Sequence, residues 1–301
     1  YTLRNQESTL HNAVHTGWNT DALTSRKKGK KAMYVKGVNL GNWLVLEKWM
    51  SPGLFDGTTA EDEYYLPTQL SKEVYEERIR IHRSEYITER DFTRIKAMGM
   101  DAVRIPVPYF IFGDRAPFVG CVKELDNAFN WAEKYGLKIL IDLHTAPDSQ
   151  NGFDNGGISG VCKWSQEPEE VEFELSVLER LAERYGTREG LWGIEVINEP
   201  ILEDMWETMK VTERYPAVDP VKAEGSKPNT IEFIRQFYLD AYDRLRKYMP
   251  EDKYVVIHDA FRLKAWKDFM REEKYKNVVL DTHMYLMVAE MNGCEQTIDG
   301  Y

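Results

Sequence analysis

Six short apolar runs rich in β-branched residues punctuate the chain, at 34–40, 101–107, 137–143, 191–197, 254–258 and 278–282. Each has the length and composition of a buried strand. Helical patterns with recognisable start and stop residues lie between most of them. Thr88, followed by acidic residues, caps a helix over 89–98 that ends at Gly99, and a second runs over 122–135 to Gly136. Pro168 opens a third over 168–185 before Gly186, and a fourth spans 229–249 and stops at Pro250. Alternating strand and helix requires parallel strands joined by right-handed crossovers, hence a barrel or a doubly wound sheet. A doubly wound nucleotide fold wants G-x-G-x-x-G after its first strand. Gly37-Val38-Asn39-Leu40-Gly41-Asn42 lacks that spacing and leads into Trp43. The expectation is an α/β fold, a TIM (β/α)8 barrel, with only about its first six strands in this chain.

Residues 1–30 read as an N-terminal appendage and 31–301 as the barrel domain, C-terminally incomplete because six strands do not close an eight-stranded barrel. The basic stretch Ser25-Arg26-Lys27-Lys28-Gly29-Lys30-Lys31 reads as a solvated loop. Segments 47–88, 145–166 and 201–228 are longer than bare connections, and long loops at one end of a barrel build a pocket.

Composition adjusts this picture in a few places. A hydrophobic content of 43% over 301 residues supports one substantial core, and the net charge of -11 argues against nucleic acid or an anionic membrane as partner. Eight Trp and 17 Tyr tilt toward a carbohydrate ligand, because aromatic faces stack on sugar rings. Three cysteines, Cys121, Cys162 and Cys294, have no paired spacing, so neither a zinc motif nor a disulfide framework is indicated. No apolar run reaches the roughly 20 residues of a membrane span, and no signal peptide is visible.

The strand ends hold the candidate chemistry. Asn198-Glu199-Pro200 follows an apolar run, and the proline stops the ladder just after a carboxylate that should point from the rim into a site. A strand-end turn with a solvated Glu is the competing explanation. Arg104 lies inside an apolar strand, which is costly unless a carboxylate meets it, so it pairs with a site carboxylate or forms a buried salt bridge without a chemical role. His144 ends Asp142-Leu143-His144, and His283 and Tyr285 end Asp281-Thr282-His283-Met284-Tyr285.

Four segments together resemble glycoside hydrolase family 5, and within it the exo-β-1,3-glucanase-like branch. They are Lys36-Gly37-Val38-Asn39-Leu40-Gly41-Asn42-Trp43-Leu44-Val45-Leu46-Glu47, Ala102-Val103-Arg104-Ile105-Pro106, the run from Asp142-Leu143-His144 through Asn151-Gly152-Phe153-Asp154, and Ile197-Asn198-Glu199-Pro200. The resemblance implies a TIM barrel that cleaves β-glycosidic bonds with retention. It further implies that Glu199 is the general acid/base with a raised pKa, and that Asn198 binds the 2-hydroxyl at the cleaved sugar. Arg104 and Tyr285 would hold the nucleophilic carboxylate, and His144 and His283 would bind sugar hydroxyls or brace the site. Glu47 would hold hydroxyls of a terminal glucose, Phe153 would form one side of an aromatic clamp at the pocket mouth, and Asn151 and Asp154 would bind substrate or support it. A surface Glu and a packed Phe are the plainer alternatives.

Two departures stand out. The partner of the clamp should follow Tyr285, where the chain has Leu286-Met287-Val288-Ala289. The nucleophile should be a Glu ending a seventh strand, expected beyond Tyr301, and Glu290 and Glu295 end no apolar strand. The sequence thus implies a retaining β-glucanase, an exo-β-1,3-glucanase first, with β-1,6-glucanase or a glycosidase acting on another glycoside as alternatives. It implies no cofactor and no metal, a β-linked oligo- or polysaccharide as partner, and a secreted or cell-associated setting. A catalytically inactive sugar-binding barrel is the rival class, and a metal-dependent barrel hydrolase using Asp142, His144, His258 and His283 lacks ligand spacing.

Overall fold

The computed structural model describes residues 34–285. The proposed appendage, the clamp position after Tyr285, Glu290 and Glu295 lie outside the described residues. Six strands form one sheet in chain order: β1 (Gly37–Asn39), β2 (Ala102–Pro108), β3 (Lys138–Thr145), β4 (Leu191–Glu195), β5 (Tyr254–His258) and β6 (Val278–Asp281). Every neighbouring pair is parallel. Strand order that follows chain order is that of a (β/α) barrel, whereas a doubly wound sheet reverses at a switch point. The longer helices are α1 (Lys72–Glu85), α2 (Glu89–Ala97), α3 (Val122–Tyr135), α4 (Pro168–Tyr185) and α5 (Ile231–Arg246).

The period-2 alternation of the strands separates the core from the site. One parity, Val103, Ile105, Val107, Ile139, Ile141, Leu143, Ile194, Val255 and Ile257, is buried against Phe129 of α3, Leu178 and Leu181 of α4 and Tyr238 and Leu245 of α5. Each such side chain contributes about 1.5–3 kcal/mol on burial. The other parity carries Arg104, Asp142, His144, Glu195, His258 and Asp281. Register brings these together: Asp142 lies level with Glu195, and His258 with Asp281.

Helix ends follow local chemistry. Asp91 accepts from both the amide and the hydroxyl of Thr88, at 3.0 and 2.8 Å, which fixes the start of α2. α5 starts two residues later than expected because Thr230 is its cap, accepting from the Phe233 amide at 3.2 Å. Asn229 instead ties loops together, donating from Nδ2 to the carbonyls of Gln150 (2.7 Å) and Ile201 (2.9 Å).

α1 falls in a segment expected to be loop. Its buried stripe is little more than Tyr75 and Ile79 among charged residues, so its period is faint, yet it packs on Phe55, Leu66, Ile158 and Val161. Segment 201–228 folds into three short helices, Glu203–Thr208, Val211–Arg214 and Pro220–Ala223. It sits so close to Gly160 that a Cβ there would lie 2.4 Å from the Ala217 nitrogen, so only glycine fits. Cys121 and Cys162 are free and buried, and no helix among the described residues is long and apolar enough to cross a membrane.

Candidate active site

Beyond β4 the backbone keeps both neighbours, with the Val196 amide donating to Val256 (3.0 Å) and the Asn198 amide to Leu143 (3.0 Å). Glu199 then adopts a left-handed φ of 44°, costly for a residue with a Cβ. Its surroundings hold it there. Asn151 Nδ2 donates to the Glu199 carbonyl at 3.2 Å, and Gln150 Nε2 donates to the carbonyls of His144 and Asn198, both at 2.8 Å. Asn151 is thus a supporting residue of the acid's backbone.

The buried Glu199 carboxylate receives His283 Nδ1 at 2.6 Å on Oε1 and Asn155 Nδ2 at 3.1 Å on Oε2, with the Tyr285 hydroxyl 3.5 Å from Oε1. Burial on its own raises its pKa, but the hydrogen bond and positive charge of His283, aided by Asn155, win and bring it to about 2. Burial lowers His283, and its bonds to Asp281 and Glu199 overcome this and lift it to about 10. The raised acid pKa expected from sequence is therefore corrected: the resting pair is carboxylate and imidazolium. The Tyr285 hydroxyl faces Glu199; the second carboxylate expected to hold it lies outside the described residues.

This pair predicts a pH signature in stability. A carboxylate lowered from 4.5 to about 2 stabilises fully above 4.5 and stops doing so as pH falls through 2. An imidazolium raised from 6.5 to about 10 stabilises fully below 6.5 and loses that contribution as pH rises through 10. The Tm gap between the wild-type protein and His283→Gln should be widest between pH 4.5 and 6.5 and shrink steadily toward pH 10. A gap that stays constant across that range would contradict the ion pair.

Arg104 reaches two strand-end carboxylates, Nε to Glu195 Oε2 at 2.8 Å and Nη1 to Asp142 Oδ2 at 2.9 Å. Nη2 donates to Asn198 Oδ1 at 2.8 Å, and Nη1 to Asn39 Oδ1 at 3.3 Å. Since a guanidinium only donates, Asn198 must turn its oxygen to Arg104, leaving Nδ2 as a donor 3.5 Å from His144 Nε2. His144 Nδ1 is 2.5 Å from Asp142 Oδ2. Glu195 was not singled out from sequence, although a lone Glu in an apolar strand at the parity of the site was its signal. Burial, opposed by Arg104 and reinforced by Asp142, pushes Glu195 up to about 7.

Glu47 stands on the loop after β1, its Oε2 receiving Trp49 Nε1 at 2.9 Å, and the Trp49 ring is 69% exposed. Asp154 is raised by burial and then by the charges of Glu47 and Glu199, which places three acids in one neighbourhood. Phe153 is corrected. It is 4% exposed and packed between Tyr215 and Phe261, at centroid distances of 5.2 and 6.5 Å, so its ring is core and does not flank an opening.

A family model described as Cellulase (glycosyl hydrolase family 5) matches residues 69–299, well over half of the chain. The chain belongs to glycosyl hydrolase family 5. A glucan 1,3-beta-glucosidase of Candida oleophila is 37% identical over 286 residues, covering 87% of this chain and 61% of that protein. A probable glucan 1,3-beta-glucosidase A of Emericella nidulans is 38% identical over 260 residues, covering 83% and 57%. The chain thus spans about three fifths of the length of these curated relatives. In three dimensions it resembles the rutinosidase from Aspergillus niger, with a TM-score of 0.68 at 21% identity, covering 84% of this chain and 70% of that one, a likeness of fold.

Among the described residues of this family 5 chain, two side-chain groups come close enough to suggest a metal, Glu199 with His258 and His283, and Glu195 with Asp281 and His283, their ligand atoms within 4.8 Å. The donors fit poorly. His258 Nδ1 accepts from the Ala260 amide at 3.0 Å, so the neutral ring carries its proton on Nε2, which is buried without a partner. A ligating histidine has the reverse pattern, a bare nitrogen on the metal and an N–H on an acceptor. In the second group Glu195 is already held by Arg104.

Proposed function

We propose that this family 5 chain carries the acid/base machinery of a retaining glycoside hydrolase that cleaves β-glucan, the β-1,3 linkage foremost, from a chain end. The observation that carries the proposal is Glu199, a buried strand-end carboxylate hydrogen-bonded at 2.6 Å to an imidazolium. The pair holds one proton. As the glycosidic C–O bond breaks, the proton on His283 Nδ1 passes to Glu199 and from Glu199 to the departing oxygen, leaving a neutral imidazole; when water attacks, Glu199 accepts its proton and returns it to His283. Asn198 Nδ2 donates to the 2-hydroxyl, while Glu47 and Asp154 accept from sugar hydroxyls. The likeness to glucan 1,3-beta-glucosidases supports glucan as substrate. A polymer of that kind fits a secreted or cell-associated enzyme.

Retention needs a second carboxylate about 5–5.5 Å from the acid. Glu195 is bound by Arg104, and Asp281 Oδ2 lies 3.5 Å from His283 Nε2, so both are assigned as braces and the nucleophile is assigned outside the described residues. The test is hydrolysis of β-1,3-, β-1,6- and β-1,4-linked glucans by the full-length protein, with product size and anomer followed by NMR. β-Glucose appearing first from the 1,3-linked polymer is expected. Activity confined to the 1,6-linked polymer would reassign the linkage, and inactivity of folded protein on every glucan would overturn the proposal.

A further inference from the structure

Segment 201–228 shapes an open groove of about 610 Å3 that the catalytic reading does not use. Apart from Gly160, every lining residue comes from the segment itself. Its lining includes the half-buried Tyr215 and the exposed Pro216, with the buried Trp206 beneath them and Thr212, Glu224 and Ser226 as polar handles. That volume lies within the range of about 300–1,000 Å3 of ligand sites, and the Tyr215 and Pro216 rings edged by a few polar groups match a pyranose, which has apolar faces and a hydroxyl rim. Among the described residues no Lys or Arg is part of the lining, though Lys163 stands beside Gly225, and the lining's charged group is the acidic Glu224, so a neutral polyol is favoured over an anionic ligand.

The groove adjoins the catalytic centre through shared residues. Tyr215 packs on Phe153 at 5.2 Å, and its hydroxyl is raised by burial and by the charges of Asp154 and Glu199. A Cβ on Gly152, next to Asn151, would lie 3.4 Å from Trp206 Cζ3. Because an acid/base faces the departing oxygen, the released part of the substrate lies on the side of Glu199, where Tyr215 stands. We infer that the 201–228 groove is an accessory subsite for the leaving-group end of a neutral β-glucan chain, two or more sugars from the cleaved bond. This assignment rests on the glycosidase proposal for its direction.

Thr212 and Val221 are exposed and line the groove, so Thr212→Trp and Val221→Trp fill it without disturbing the core. In wild-type protein, kcat/KM should rise with laminari-oligosaccharide length from two to six sugars. Either variant should flatten that rise, lowering kcat/KM for the hexaose tenfold or more while a nitrophenyl β-glucoside is cleaved as before. Calorimetry with laminarihexaose supplies a readout independent of turnover, and binding should weaken tenfold or more in both variants. Saturable hexaose binding lost in both variants, from a protein that cleaves no glycoside, would support the groove while removing the glycosidase proposal. Hydrolysis with length dependence and binding unchanged in both variants would overturn the groove alone.

Discussion

Glu199→Gln is expected to slow hydrolysis of laminarin-type glucan by about 10²–10⁴-fold, the usual contribution of a positioned general acid/base. The loss should depend on the leaving group. An alkoxide from a sugar cannot depart unprotonated, whereas an activated phenolate can, so the first step on a dinitrophenyl β-glucoside should be largely spared and a burst of phenol should appear. The second step still lacks its base, and added azide should restore it by supplying a nucleophile that needs no deprotonation. The variant also removes one of the two carboxylates, Asp281 and Glu199, that lift His283 to about 10, so the imidazole should titrate lower, visible in its NMR resonances. Near-full activity of Glu199→Gln on glucan would end the assignment.

The second large effect belongs to Arg104. Its removal in Arg104→Ala strands Asp142 and Glu195, both fully buried, without their shared cation. Breaking a buried pair in this way costs about 3–5 kcal/mol, and here one cation serves two anions. The Asn198 amide also loses the donor that fixes its orientation, so both chemical steps should slow. Glu195, already pushed up to about 7 by burial against the opposing charge of Arg104, rises further once that charge is gone, so its share of the deficit should be largest above pH 7 and shrink as pH falls below it. Arg104→Lys should recover part of the stability and little of the activity, since an ammonium cannot span Glu195, Asp142 and Asn198 together. Denaturant melts at several pH values measure the first effect, and a loss below about 1 kcal/mol at pH 7 would show that the cluster is solvated.

What the chain announces about itself depends on how locally each feature is encoded. β5, α3 and α4 are read to the residue because Pro168, Gly136 and an unbroken apolar run mark their limits. Arg104 announces a partner, since no apolar strand tolerates a bare guanidinium, but its two partners sit on neighbouring strands and only register makes them one cluster. The charge state of Glu199 is hidden for the same reason: His283 is 84 residues away. Phe153 fails differently. Its place in a motif says where the backbone goes, and the ring packs on Tyr215, which comes from segment 201–228, outside that motif.

The neck of that segment is tied shut. Leu202 pairs with Asn229, whose amide bridges the carbonyls of Gln150 and Ile201. A loop closed at its base can lengthen or shorten at little entropic cost, because closure depends only weakly on length. Lineages and protein engineers can therefore graft a different 203–226 onto the same neck without retuning the Glu199–His283 pair. Heredity of the reaction and heredity of the substrate would then be separable, joined where Tyr215 leans on Phe153, where Ala217 abuts Gly160 and where Lys222 pairs with Asp148.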